Sequence, residues 1–111
     1  GVSVVLVLGH DECGAIRATM DSSSGKLRTK GEFIQNIVAR IQPTVTNAFA
    51  NGKHHIDEVT ELHIQDTIDE IMTRSKVIRE AVQAGKLGLV GANYKLALGE
   101  IHPITTVGSV E

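Results

Sequence analysis

Residues 4–15 read Val-Val-Leu-Val-Leu-Gly-His-Asp-Glu-Cys-Gly-Ala, and this stretch decides the fold. The run from Val4 to Leu8 is wholly apolar and rich in β-branched side chains. That is the pattern of a strand covered on both faces, as in a parallel sheet. A strand this apolar needs neighbours, and few other candidates exist in the chain. Gly9 ends the run, and a short helix is expected to begin near Asp11 to Cys13. An imidazole and a thiol thus follow the carboxyl end of a strand, where open α/β sheets place their ligand sites.

The pair His10 and Cys13 has the spacing H-x-x-C. Three residues of separation let an imidazole and a thiolate converge on one ion in a tight turn, and zinc prefers such nitrogen and sulfur ligands. Cys13 also lies near a helix N-terminus, where the dipole favours thiolate. Gly14 permits close backbone approach. Spacing alone leaves three readings open: two of the ligands of a zinc site, a buried cysteine beside a helix-capping histidine, or a redox thiol with His10 as its base. A catalytic zinc needs about three protein ligands plus water. Cys13 is the only cysteine, so no internal disulfide is available.

Working outward, Asp21 to Gly25 reads as a polar loop. Ile34, Ile37, Val38 and Ile41 share one helical face. Pro43 starts a second helix or kinks the first, and Asn51-Gly52 ends it. Ile64, Ile68, Ile71 and Met72 form the strongest helical stripe. Ser75 is a helix cap, with Val77, Ile78, Ala81 and Val82 inward. Gly85 is a helix-terminating glycine. Leu87 to Val90 reads as a second strand, and Tyr94 to Ile101, with Gly99 in the turn, as a hairpin leading to an edge strand. The tail from Thr105 is weakly patterned. His54, His55 and His63 read as solvated histidines, His102 as a turn residue, Arg17 as a partner for a carboxylate and Tyr94 as packing. Gly88 and Gly91 suggest tight packing.

The 111 residues suffice for one small domain, residues 1–111, with one core. The net charge of −2 and three aromatic residues (one Tyr, two Phe) argue against a nucleic-acid surface. The longest apolar run falls far short of the roughly 20 residues of a membrane-spanning helix.

The segment Val5 to Ile16, with its apolar strand, Gly9-His10, two residues and Cys13-Gly14-Ala15, resembles the signature of β-class carbonic anhydrases. The stretch Ala84 to Tyr94, followed by Leu98-Gly99-Glu100-Ile101, is similar to that family's penultimate strand and hairpin. The resemblance implies a small, mostly parallel α/β sheet with an antiparallel edge strand, flanked by helices. It implies Zn2+ as cofactor, held by Cys, His and Cys, with His10 and Cys13 as the second and third ligands. It implies CO2 and bicarbonate as substrates, and a homo-oligomer, a dimer or larger.

The family's first zinc cysteine sits in a Cys-x-Asp-x-Arg motif upstream of Gly-His, and this chain has none. A C-terminal portion, completed by an N-terminal segment or companion chain, is the favoured reading. A degenerate subunit with an oligomerisation or regulatory role, or recruitment of Asp11 or Glu12 as ligand, are the alternatives. Asp11 stands where the family usually has a small hydroxyl residue, and a helix-capping role is expected for it.

Overall fold

The computed structural model describes residues 2–25 and 32–109. The chain forms two compact units. One joins the first strand to everything from Ile64 onward, and the other runs from Asp11 to His63.

The first unit is a three-stranded sheet in the order β1-β2-β3, built from β1 (Ser3–His10), β2 (Leu87–Lys95) and β3 (Glu100–Gly108). β1 runs parallel to β2, in register from Ser3↔Leu87 to His10↔Tyr94. β2 and β3 are antiparallel, from Gly88↔Gly108 to Lys95↔Glu100, with a bulge that skips Ile104. The mixed sheet and its edge strand agree with the expected architecture. The part of α3 (Ile56–Arg74) from Ile64 on lies against the sheet. A Cβ placed on Gly91 would sit 2.7 Å from Ile64 Cγ2 and 2.8 Å from Ile68 Cδ1. Glycine is therefore what lets the helix approach the strand, as its sequence context suggests.

α4 (Lys76–Gln83) precedes β2. Ser75 Oγ accepts the Ile78 N–H at 3.2 Å, the expected cap. At the other end Gly85 takes φ 73°. Bonds from Lys86 N to Ala81 O and from Gly85 N to Val82 O close the helix in a Schellman motif. Ile78, Ala81 and Val82 are half-buried, but Val77 is 78% exposed, contrary to its expected inward position. The eight-residue helix turns only a narrow stripe inward, and Val77 falls outside it. β3 continues to Gly108, through the tail that lacked a clear pattern, because pairing with β2 supplies what the local sequence does not.

The second unit is helical: α1 (Gly14–Ser23), α2 (Glu32–Ala50) and the first turns of α3. Its core comprises Ile16, Met20, Ile41, Val45, Ala48, Ile56 and Val59. Buried Thr19 and Thr60 satisfy their hydroxyls on Ala15 O and Ile56 O, each at 2.8 Å. Asp21, Ser22 and Ser23, expected in a loop, extend α1 by a turn, which ends at Ser24 and at Gly25 with φ 74°. Gly31, where α2 was expected to start, lies outside the described residues. Pro43 neither starts nor ends a helix; it sits inside α2 with its ring exposed. Burial of Ile41, Val45 and Ala48 on either side holds the helix through it. Asn51 and Gly52, the latter at φ 73°, end α2 as expected.

Candidate metal centre

His10 is the last residue of β1 and is exposed. Its register partner is Tyr94, whose own partner on β3 is Ile101. Side chains at paired positions share a face, so imidazole, phenol and Ile101 form one row across the carboxyl end of β1. Tyr94 is half-buried in this row.

Asp11-Glu12 makes the turn that follows, with Glu12 at φ 52°. A left-handed non-glycine residue is uncommon and marks a sharp change of chain direction. Cys13 then occupies the N-cap position of α1, with φ −65° and ψ 120°. Its carbonyl accepts the Arg17 N–H at 3.0 Å, while its side chain makes no capping bond. Cys13 thus holds the N-cap position by its backbone, two residues after Asp11. The thiol is partly buried and packs against the helical core. Cys13 therefore stands at the positive end of a ten-residue helix. Directly after it, Gly14, Ala15 and Ala18 line a half-open apolar groove of about 280 Å³ with Ile34, Ile37 and Val38 of α2.

His10 belongs to the sheet unit and Cys13 to the helical one. Among the described residues no group of three His, Cys, Asp or Glu side chains is arranged to hold a metal ion. The donor chemistry of His10 and Cys13 fits zinc, one nitrogen and one sulfur, but falls short of its usual complement.

The remaining histidines take structural positions. His55 Nδ1 accepts the Asp57 N–H at 3.2 Å and so helps cap α3. His54 stacks on Phe49 with ring centroids 4.9 Å apart. Both are exposed, as expected, whereas His63 is half-buried in α3. His102 lies within β3 rather than in a turn, with Nε2 3.0 Å from Glu100 Oε2. Arg17 has no ion pair among the described residues. Sequence reasoning missed Asn93: it is fully buried in β2, and neither its Nδ2 nor its Oδ1 has a partner among the described residues. Its place between Ala92 and Tyr94 in a strand gave no signal of this.

Residues 1–101 match the family model described as carbonic anhydrase. The chain is 31% identical over 109 residues to a carbonic anhydrase of Mycolicibacterium smegmatis, covering 98% of this chain and 52% of that protein. It is 34% identical over 110 residues to carbonic anhydrase 2 of Mycobacterium tuberculosis, with the same coverage. It spans about half the length of these curated relatives. Among solved structures it resembles the tetrameric β-carbonic anhydrases of the ascomycete Sordaria macrospora, with TM-score 0.77 and 17% identity over 96% of this chain and 55% of that one. It also resembles the β-carbonic anhydrase CcaA, with TM-score 0.75 and 19% identity over 98% and 52% of the two chains.

Proposed function

From the premise that this chain belongs to the carbonic anhydrase family, as the C-terminal portion of its β class, we propose that the protein catalyses the reversible hydration of CO2 to bicarbonate with zinc. His10 and Cys13 are the metal ligands this chain supplies, and the remaining protein donor comes from outside these 111 residues. The observation that carries the reading is the place of the H-x-x-C pair. The histidine closes β1 and the cysteine caps the next helix, within a stretch matched to the family from end to end.

Bound zinc lowers the pKa of its water to about 7 and so supplies a hydroxide-like nucleophile at neutral pH. The chain's own residues do the rest of what is assigned here. Cys13 presents its sulfur from the N-cap position of α1. The end of the β1–β2 ladder fixes the backbone that presents the imidazole. Tyr94, the register partner of His10, lines one side of it and stands between it and Ile101. The working protein is a homo-oligomer on this reading, in keeping with the tetrameric description of a structural neighbour.

The test is zinc content and CO2 hydration of the 111-residue chain, alone and joined to the N-terminal half of a β-class relative. His10→Ala and Cys13→Ser should each cost the joined protein its zinc and its activity together. Unchanged zinc in both variants refutes the assignment. Zinc-free joined protein that assembles normally supports instead an inactive subunit.

A further inference from the structure

The turn that ends α2 contains a reactive pair of residues together with the bonds that keep the pair apart. The chain has four asparagines, Asn36, Asn47, Asn51 and Asn93, and only Asn51 precedes a glycine. Asn51 and Gly52 are both exposed. A backbone nitrogen can attack the side-chain carboxamide of the asparagine before it, and glycine obstructs that attack least because it has no Cβ. In this fold both reacting groups are occupied. Asn51 Nδ2 donates to Asn47 O at 2.7 Å and to Asn47 Oδ1 at 2.9 Å. Gly52, at φ 73°, donates its N–H to Phe49 O at 3.1 Å, and the Lys53 N–H reaches Ala48 O at 2.8 Å. The last two bonds make a Schellman motif, so the attacking nitrogen is itself part of what closes the helix.

We propose that Asn51 is a deamidation site of this chain, held unreactive by the folded end of α2 and released when that turn opens. In the reaction Gly52 N forms a bond to Asn51 Cγ and the bond from Cγ to Nδ2 breaks. The proton displaced from Gly52 leaves with Nδ2 as ammonia. Water then opens the five-membered imide at either carbonyl, which gives aspartate or isoaspartate. The change does not reverse, and its product works against the turn. A carboxylate cannot donate to Asn47, and the two acceptor oxygens of Asn47 then face a negative charge at the helix end where the dipole disfavours one. Isoaspartate also lengthens the backbone by one methylene, which throws the two Schellman bonds out of register. The turn adjoins buried Ala48 and Ile56 of the helical core and the stacked rings of Phe49 and His54. Each event therefore loosens the link between α2 and α3.

Peptide mapping by mass spectrometry follows the conversion in the 111-residue chain, folded in buffer and unfolded in urea at the same pH and temperature. Conversion of Asn51 should be at least about tenfold slower in the folded chain. The slowing should match the protection of the Gly52 amide against hydrogen exchange, because both events need the same bond to open. Isoaspartate should accompany aspartate, since direct hydrolysis of the carboxamide gives aspartate alone. Asn51→Asp makes one product directly and should speed exchange at the Gly52 and Lys53 amides about two- to fivefold. Equal rates in the folded and unfolded chains overturn the proposal, as does an absence of conversion in urea. Aspartate without isoaspartate, or unchanged exchange in Asn51→Asp, overturns it as well.

Discussion

β1 and β2 lie side by side, run in the same direction and are both rich in valine, leucine and glycine. β2 has a partner on each edge, and Leu89, Ala92 and Asn93 are at most 1% exposed. Among the described residues β1 has one partner, and Val4, Leu6 and Leu8 are about half exposed. Apolar composition thus specifies an interior strand in both cases, but among the described residues only β2 has interior surroundings. The contrast separates what a strand is built to do from where it happens to stand. It also places the exposed apolar row on the strand that ends in His10.

The contrast is open to measurement by chemical denaturation of the 111-residue chain. Leu89→Ala should cost about 2–5 kcal/mol, the usual range for truncation of a buried leucine, whereas Leu6→Ala should cost under about 1 kcal/mol. Equal losses at the two positions would mean that β1 is already covered in solution. Gly91→Ala should cost about 1–3 kcal/mol, because its methyl group meets Ile64 and Ile68 well inside contact distance. A neutral result would show that α3 shifts freely over β2. Asn93→Leu should raise stability by about 1 kcal/mol, since it removes a buried amide that has no partner. A loss of stability there would reveal a hydrogen-bonding partner for Asn93 in solution.

Much of this was legible in the sequence because it is local. The β1 run, the Ser75 cap, the glycine stops at Gly52, Gly85 and Gly99, and the stripe through Ile64 and Ile68 each announce themselves within a few residues. What escaped depends on distant packing. The strand from Thr105 to Gly108 exists through pairing with β2. α2 passes through Pro43 because its other face is buried, and Val77 faces solvent because α4 presents only a narrow stripe. At the candidate site, H-x-x-C identified His10 and Cys13 by spacing, and the strand end and helix start follow from flanking residues. That Cys13 holds the N-cap position depends on the left-handed turn at Glu12, which no residue type there foretells.

The pairing of Ser3 with Leu87 also has a temporal meaning. β1 leaves the ribosome before α1 to α4, and the strand it pairs with follows only after them. Throughout that interval a stretch of bare valine and leucine must wait for a distant mate, and closing so long a loop is slow. The nascent chain is thus at its stickiest between the making of β1 and of β2, when chaperones that shield apolar segments have most to protect.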